Sequence, residues 1–368
     1  MKILIDARLY GLENAGLGRY SMNLVNKLAE IDSKNSYTLL LRKKYFESLK
    51  LPTNWKKVLA DFQHYTFEEQ LFIPKIIKRE NPDLTHFLHF NVPLFTPGKF
   101  IVTIHDLLMH RNKGLEATTL SAPLYLLKRL VYKTVFKNAV VRPQKIIVPS
   151  NAIKEEVVSN YSVSQNKIEV IYEGVDSNIT TKSSYEIRTP YFVYTGNAYP
   201  HKNLKKLIEA IILVNRDTNK NIKLVISTSR NIFAQRLKKT IENLKATRYV
   251  EIVGFVPDES LGSLYKNSSA FVFPSISEGF GLPGLEAIQN ETLLLASDIP
   301  VFKEVYKDNA IYFNPLESSE IANSMERVLL MSPDERKQRI KKGKELASTY
   351  SWDKMATQTL KVYESFKK

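Results

Sequence analysis

Short apolar runs alternate with amphipathic stretches along almost the whole chain. In the first half, the runs that predict strands lie at residues 2–7, 37–42, 84–87, 100–104, 145–149 and 167–174. Stretches with apolar residues every three or four positions lie between several of these runs and predict helices, for example at residues 67–79. Strands that alternate with helices are typical of βαβ units and a parallel sheet.

The alternation restarts after a polar segment, residues 177–190, which has no hydrophobic period and which we interpret as a linker. Residues 297–305 are predicted to be a turn, and the predicted strands of this half lie at residues 191–196, 223–226, 249–253, 270–273, 292–296 and 310–313. We therefore predict an α/β chain with two Rossmann-like parallel-sheet domains that face each other across a cleft. They comprise residues 1–176 and 191–350, and a C-terminal helix in 351–368 packs on one domain or bridges back to the first.

Composition and charge narrow the class of protein. The chain has 368 residues, no cysteine and a net charge of +15, so disulfides and thiolate zinc sites are excluded. No apolar run approaches the ~20 residues of a membrane span, and the N-terminus does not resemble a signal peptide, so we expect a cytoplasmic protein. Such a basic excess suits an anionic surface, either nucleic acid or a membrane with acidic lipids. A lysine-rich composition with solvated faces is the alternative.

A basic amphipathic helix is predicted at residues 120–139. Leu124, Leu127, Val131 and Val135 lie on one side of it, whereas Arg129, Lys133 and Lys137 recur every four residues on another. This pattern fits a domain helix whose basic face is exposed to solvent, or a helix that contacts the inner face of the cell membrane.

The most informative stretch is FVFPSISEGFGLPGLE, residues 271–286. An apolar strand runs into a glycine-bearing turn and then into a helix with Glu286 in its predicted first turn. Helix starts in such sheets bind anions, because their first backbone N–H groups lack partners within the helix. Two carboxylates, Glu278 and Glu286, would repel a bare phosphate, so we expect them to bind hydroxyl groups of a sugar or ribose.

Other turns at strand ends supply complementary groups. Lys202 lies just before a helix predicted to begin at Asn203, where a cation and helix-start amides suit a diphosphate. Gly16 and Gly18 precede the first predicted helix and would let its N-terminus approach the same group. Each of these also has a plainer interpretation, as a surface lysine or an ordinary strand–helix turn.

His105 and Asp106 follow a predicted strand, and a ligand crevice lies at such strand ends. A structural histidine is the alternative; the adjacent acid or a backbone carbonyl would fix the tautomer of a functional one. The turn at residues 254–259 could offer backbone groups to a flat base, with Phe255 or Pro257 against its face.

Several kinds of chemistry are disfavoured. The chain contains no P-loop and no Gly-x-Ser-x-Gly motif, which argues against those nucleotide and hydrolase sites. It has no Asp-x-Asp for a carboxylate-held Mg²⁺. His86, His89 and His105 are a poor zinc set because the loop around them is apolar, so we predict no metal site.

Taken in order, these motifs resemble the family-4 retaining glycosyltransferases of GT-B fold. The match runs through IDAR, GLGRY, HFNVP, TIHDL, IIVPSNAIKEEV, YEGVD, YTGNAYPHKN and VGFVPDESL to the Glu-x7-Glu signature of Glu278 and Glu286. The His-Asp and PHKN forms are similar to a bacterial mannosyltransferase-like branch that uses GDP-mannose.

The resemblance implies roles for particular residues. His105, Glu278 and Lys202 would be catalytic: His105 facing the transferred sugar, Glu278 holding its hydroxyls and Lys202 neutralising the diphosphate. Glu286 would hold the ribose. The other implied donor-binding residues are Gly16, Gly18, Asn197, Phe255, Val256, Gly279, Phe280, Gly281 and Leu282. Many relatives have arginine at the position of Asn197, and residues 288–297 and 307–310 also depart from the family pattern.

The implied function is transfer of a hexose, with mannose the first choice, from GDP-mannose or a UDP-hexose to a saccharide or lipid-linked acceptor. It would build a surface polysaccharide or glycolipid without cofactor or metal. One alternative is a nucleotide-sugar epimerase of the same fold. Another is a non-catalytic protein that binds nucleotide sugars or anionic surfaces. Nucleic acid is the least favoured partner, because the basic residues are scattered rather than arranged in a stripe.

Overall fold

The structure is a computed structural model that describes residues 1–108, 122–176, 179, 181, 187, 189–229 and 232–367, with the backbone alone for 122–127. Within these residues the chain forms two compact units. Unit 1 runs from Met1 to Gly174 and resumes at Ser351, whereas unit 2 runs from Val175 to Tyr350. Most of the predicted linker, and the side chains of Leu124 and Leu127, lie outside the described residues.

Unit 1 is built on a parallel sheet of seven strands in the order β3-β2-β1-β4-β5-β6-β7. The strands are β1 (Lys2–Asp6), β2 (Ser36–Leu41), β3 (Trp55–Leu59), β4 (Leu84–Phe87), β5 (Phe100–Thr103), β6 (Lys145–Val148) and β7 (Ile168–Val170). Among the described residues before 175, the α-helices are α1 (Ala15–Ile31), α2 (Lys43–Phe46), α3 (Phe67–Glu80), α4 (Ala122–Val141) and α5 (Asn151–Tyr161).

Unit 2 repeats the architecture with six parallel strands in the order β10-β9-β8-β11-β12-β13. The strands are β8 (Tyr191–Thr195), β9 (Lys223–Ser227), β10 (Val250–Gly254), β11 (Phe271–Phe273), β12 (Leu294–Ser297) and β13 (Ala310–Phe313). The helices are α6 (Leu204–Thr218), α7 (Ile232–Asn243), α8 (Asp258–Lys266), α9 (Leu282–Gln289), α10 (Pro300–Tyr306), α11 (Ser318–Leu329) and α12 (Pro333–Ala347). The predicted α/β class with two parallel-sheet domains is confirmed.

The central strands are buried on both faces, which explains their unbroken apolar sequences. All five residues of β8 are buried, and so are all four residues of β4, including Thr85 and His86. A polar side chain inside such a strand needs a hydrogen-bond partner from a neighbouring element. His86 has two, Tyr363 and Thr103, whereas Thr85 Oγ1 has none among the described residues.

The last helix, α13 (Trp352–Glu364), belongs to unit 1, so the chain returns there after completing unit 2. Its first residue packs closely on Gly174, where an added Cβ would lie 2.2 Å from the Trp352 nitrogen. The Tyr363 hydroxyl reaches His86 Nδ1 at 2.6 Å. The helix therefore anchors to the sheet of unit 1 through a buried polar contact as well as through apolar packing.

Three predicted segments differ from the structure. Strand β3 was not predicted, because Lys56 and Lys57 interrupt the apolar run of this edge strand. Residues 297–305 were predicted to be a turn, but they contain helix α10, where Pro300 occupies a helix start that tolerates proline. Strand β7 ends at Val170 instead of continuing to residue 174.

Strand order reverses once in each sheet, between β1 and β4 in unit 1 and between β8 and β11 in unit 2. In open parallel sheets, ligands bind outside the carboxyl ends of the strands at such a switch point. The loops that follow these strands are therefore where each unit is expected to bind a ligand. Among the described helices, none combines the length and the apolar character that a membrane crossing requires.

Candidate active site

Lys202 lies at the switch point of unit 2, on a turn braced from two sides. After β8, residues Pro200–Lys202 form a short 3₁₀ turn, and Asn203 follows with a positive φ of 57°. The Asn203 side-chain amide donates to the carbonyl oxygens of Pro274 and Pro315, at 3.1 and 2.7 Å. These bonds tie the lysine turn to the segments that follow β11 and β13.

Lys202 and Glu278 form an ion pair although 76 residues separate them in sequence. Lys202 Nζ donates to Glu278 Oε1 at 2.5 Å, and the two side chains are only 13% and 11% exposed. The ammonium group also lies 5.6 Å from the centre of the Phe273 ring. A cation and a carboxylate predicted separately for phosphate and sugar hydroxyls are thus brought together at one strand edge.

The surroundings of this pair are apolar enough to suppress protonation of a nearby histidine. Burial, with Lys202 as the next contributor, lowers the pKa of His201 to about 4. Burial, with the Glu278 carboxylate adding to it, raises the pKa of the Tyr194 phenol well above its usual value. Both groups are neutral near pH 7, so the charges nearest this turn are those of Lys202 and Glu278.

The glycine turn after Glu278 is shaped by a buried tyrosine. Gly281 precedes α9 with φ 101°, a conformation that favours glycine, and Tyr306 Oη donates to its carbonyl oxygen at 2.6 Å. A Cβ added at Gly281 or Gly284 would lie 2.2 or 2.3 Å from that hydroxyl. Only glycine allows the tyrosine to approach this closely, and sequence reasoning missed Tyr306.

Glu286 is more buried than its predicted role at a ribose suggests. It lies on α9 beyond the first turn, is 6% exposed, and accepts a long 3.5 Å hydrogen bond from Tyr265 Oη. The Tyr265 hydroxyl is in turn 2.6 Å from Thr195 Oγ1. Phe280 and Leu282 are buried as well, so a contact to a ligand at these two positions would come from the backbone.

Three buried polar atoms on neighbouring loops of unit 2 have no hydrogen-bond partner among the described residues. They are Asn197 Oδ1 after β8, Thr228 Oγ1 after β9 and Ser275 Oγ after β11. Such atoms are rare because each costs free energy when it is left unsatisfied. All three follow the carboxyl ends of adjacent strands, which is the pattern expected where a polar ligand completes the hydrogen bonding.

The predicted base contact lies farther along the same edge. Phe255 follows β10, two strands from β8, which corresponds to roughly 10 Å at ordinary strand spacing. Its ring is 69% exposed, whereas the Val256 side chain is buried. Phe255 is therefore available as a flat contact, and Val256 can contribute only backbone groups.

In unit 1, His105 follows β5 and is held by two acceptors. Its Nε2 donates to the Leu88 carbonyl oxygen at 3.1 Å, and Nδ1 lies 3.2 Å from Glu173 Oε1. The Tyr20 ring packs edge-on against the imidazole at 4.6 Å. A backbone carbonyl, rather than Asp106, therefore orients the ring; Asp106 accepts from the Leu108 amide.

Gly16 and Gly18 lie inside the first turn of α1 rather than before the helix, as we had predicted. A Cβ at Gly18 would lie 1.8 Å from the Gly11 carbonyl oxygen, so the loop after β1 requires this glycine. Nothing lies within 4 Å of a Cβ added at Gly16. The two glycines therefore differ: one is needed for packing, and the other leaves open space at the helix start.

Sequence reasoning also missed a buried charge cluster after β1. Arg8 donates to both carboxylate oxygens of Asp6, at 2.8 and 2.6 Å, and to Glu69 Oε1 at 2.7 Å. The Glu69 carboxylate also accepts from Asn91 Nδ2 and from the Tyr65 amide. Two carboxylates around one guanidinium leave Arg8 with its hydrogen-bonding capacity filled, so the cluster stabilises this edge of the sheet.

Among the described residues, no three His, Cys, Asp or Glu side chains are arranged to hold a metal ion.

Comparisons with known proteins identify the protein family to which the chain is similar. The family model described as "Glycosyl transferases group 1" matches residues 178–346, and the model "Glycosyltransferase Family 4" matches residues 16–179. The chain is 27% identical over 329 residues to the O-antigen chain mannosyltransferase RfbU of Salmonella typhimurium, a match that covers 85% of this chain and 87% of the relative.

Solved structures agree on the fold. Sucrose-phosphate synthase from Thermosynechococcus elongatus superimposes with a TM-score of 0.78 at 16% identity, covering 99% of this chain and 98% of that one. Anabaena HepE in complex with UDP-glucose gives 0.74 at 16% identity, covering 99% and 100%. The fold and the motifs define a glycosyltransferase of GT-B architecture. The chain belongs to family 4 of these enzymes.

Proposed function

We propose that the protein is a retaining hexosyltransferase that transfers mannose from GDP-mannose to a saccharide or lipid-linked acceptor. The Lys202–Glu278 pair at the switch point of unit 2, beside three unsatisfied polar atoms, is the observation that carries the proposal. The name of the Salmonella relative supports mannose as the sugar and a surface polysaccharide as the product. The reaction needs no cofactor and no metal ion in this proposal.

In this proposal, different residues of unit 2 bind different parts of the donor. Lys202 supplies the positive charge for the diphosphate, and the start of α9 supplies backbone N–H groups for the same end of the donor. Glu278 accepts hydrogen bonds from sugar hydroxyls, Glu286 from the ribose, and Phe255 lies against the base. Phe255 follows β10, Lys202 follows β8 and Glu278 follows β11, an order along the edge that agrees with base, diphosphate and sugar.

Rate enhancement follows from charge on the leaving group. As the bond between sugar and diphosphate breaks, negative charge grows on the phosphate oxygen that Lys202 faces, and preorganised charges stabilise that change strongly. The acceptor hydroxyl forms its bond to the anomeric carbon on the face that the diphosphate leaves, through an oxocarbenium-like state, so no carboxylate nucleophile is needed. The departing phosphate oxygen takes the acceptor's proton. His105 contacts the transferred sugar in this proposal.

Binding is tested first, with a thermal-shift panel of nucleotides and nucleotide sugars that includes GDP-mannose and UDP-glucose. A ligand at about 100 times its Kd stabilises the folded state by about 2.7 kcal/mol. We expect GDP-mannose to give the largest shift and Lys202→Met to lose most of it. Exposed Lys205, on the first turn of α6, provides the matched control Lys205→Met. A panel without any shift at millimolar concentrations would contradict the proposal.

Chemistry is tested by incubating labelled donor with an acceptor, with and without EDTA. We expect a new glycoside with the anomeric configuration of the donor, unchanged yield in EDTA, and slow donor hydrolysis without acceptor. An isomerised nucleotide sugar would identify an epimerase instead. Donor binding without any product from a range of acceptors would favour a nucleotide-sugar-binding protein.

A further inference from the structure

Several large apolar side chains on unit 1 are exposed to solvent and do not belong to its core. Phe67 is 89% exposed, Phe95 83% and Leu130 64%, and Leu71 and Val131 are also more than half exposed. We refer to these five side chains as the outer apolar surface. Single exposed apolar residues are ordinary, whereas a contiguous group marks an interaction site.

The topology places these residues on one face of the sheet. Buried residues of α3 and α4 share one hydrophobic cluster with the strands, so both helices cover the same side. The connection between β4 and β5 runs between them: the Leu94 amide donates to Gln70 Oε1 of α3 at 2.9 Å. From the other side Arg142, just past α4, donates to the Leu94 and Thr96 carbonyl oxygens. Phe95 is thus held between the helices that carry Phe67 and Leu130.

Basic side chains flank the outer apolar surface on both helices. Lys75 and Lys78 follow Phe67 and Leu71 along the exposed side of α3, while Lys133 and Lys137 are exposed on α4. Residues 122–141 include no aspartate or glutamate. In α3, Glu69 is buried against Arg8, and Glu68, beside Phe67, is an exposed acid among the exposed lysines Lys75 and Lys78. Exposed aromatic and aliphatic groups inside a basic rim are suited to a bilayer that contains anionic lipids.

We infer that the outer apolar surface docks on an anionic membrane, with Phe67, Phe95 and Leu130 entering the headgroup region and the lysines binding lipid phosphates. A second copy of the chain fits less well, because a two-fold contact through this surface would bring the basic rims against each other. The inference rests on the proposed function only in one respect: a lipid-linked acceptor would give the enzyme reason to be at a membrane.

The test is sedimentation of the full-length protein with vesicles of phosphatidylcholine, with or without phosphatidylglycerol, in the absence of donor and acceptor. We expect salt-sensitive binding to the anionic vesicles only. Phe67→Ser, Phe95→Ser and Leu130→Ser combined should weaken it by roughly tenfold or more, because each removes an inserted apolar group. Lys75→Glu, Lys78→Glu, Lys133→Glu and Lys137→Glu combined should abolish its dependence on anionic lipid.

The matched control combines Leu316→Ser and Leu330→Ser, two exposed leucines of unit 2, and should bind vesicles like the parent. Unchanged melting temperatures show that the variants are folded. Parent-like binding by the serine triple variant, or no vesicle binding by the parent, would overturn the inference. So would a parent that is a dimer and a triple variant that is a monomer, since a second copy would then cover the surface. Donor-induced thermal shifts are measured separately, so loss of the membrane surface is distinguishable from failure of the proposed function.

Discussion

Two histidines at the carboxyl edge of the first sheet are held in hydrogen-bond chains, whereas at the same edge of the second sheet three polar side chains keep atoms without a partner among the described residues. Unit 1 has unpartnered atoms too, on Trp55, Thr85, Asn138 and Trp352, so the contrast concerns its two histidines. In unit 1, His86 lies between Tyr363 and Thr103, and His105 between Leu88 and Glu173. In unit 2, Asn197, Thr228 and Ser275 keep unsatisfied polar atoms beside an ion pair.

Buried polar side chains therefore have two different roles in this protein. A fully satisfied network fixes one side chain in place, because every alternative position would break hydrogen bonds in a low-dielectric interior. An incompletely satisfied edge is prepared for a ligand that supplies the missing partners. Unit 1 therefore resembles a rigid support for His105, and unit 2 resembles a binding edge. Each prediction below tests one side of this contrast.

The largest expected effect is the response of unit 1 to acid. Burial lowers the pKa of His86 to about 3, and it also lowers those of His64 and His89. A histidine with a depressed folded-state pKa stabilises fully above its unfolded pKa near 6.5, and the stabilisation is lost as pH falls. At pH 5, His86 alone costs about 2 kcal/mol, because each pH unit corresponds to roughly 1.4 kcal/mol. The raised pKa of Glu69 offsets part of this loss.

Unit 2 contains one corresponding group, His201, with a pKa of about 4. Hydrogen exchange measured by mass spectrometry at pH 7 and pH 5, corrected for intrinsic rates, should show a greater loss of protection in β1, β4 and β5 than in β8, β11 and β12. Equal losses in both sheets would show that the closed network of unit 1 does not set its acid sensitivity.

The next effect concerns catalysis in unit 2. Glu278→Ala should lower kcat by about 10²–10³-fold, the usual result of removing a preorganised group that acts on the transition state. Glu291→Ala is the matched control, since Glu291 also forms ion pairs in unit 2, with Lys266 and Lys344, but lies away from the glycine turn. Steady-state kinetics with saturating donor makes the comparison. A similar fall in both variants would remove Glu278 from the site.

The sequence predicted where strands end and turns begin, but it did not predict which residues far apart in the chain contact each other. Lys202 and Glu278 could be placed at strand ends because an apolar run, a glycine or proline and a helix start mark such turns within about ten residues. Their contact spans 76 residues, and that of His105 with Glu173 spans 68, which no local period encodes. Tyr306 was missed for the same reason, since its hydroxyl partner lies 25 residues earlier.

The support of His105 provides a smaller, distinct effect. Glu173→Gln keeps the shape but replaces a charged carboxylate by a neutral amide, and hydrogen bonds to charged groups contribute about 1.5–3 kcal/mol. Transfer should therefore slow by roughly 10–150-fold, while the thermal shift caused by GDP-mannose, which reports binding in unit 2, should not change. Glu169→Gln, on the edge strand β7 and paired with Lys145, is the matched control. A reduced donor shift in the Glu173 variant would argue that this glutamate acts on folding in general.

The smallest expected effect comes from two buried phenols. Tyr306 donates a hydrogen bond to the Gly281 carbonyl oxygen in unit 2, and the Tyr363 hydroxyl shares one with His86 Nδ1 in unit 1. Tyr306→Phe and Tyr363→Phe should each destabilise the fold by about 1–3 kcal/mol, because each leaves a buried polar group unsatisfied. Only Tyr306→Phe releases the carbonyl that shapes the glycine turn, so only this variant should raise the donor KM, by roughly 2–10-fold. Denaturant unfolding and donor titrations measure the two quantities separately. If both variants raised KM equally, the turn at Gly281 would depend on overall stability, and the binding edge would be no more specialised than the closed network of unit 1.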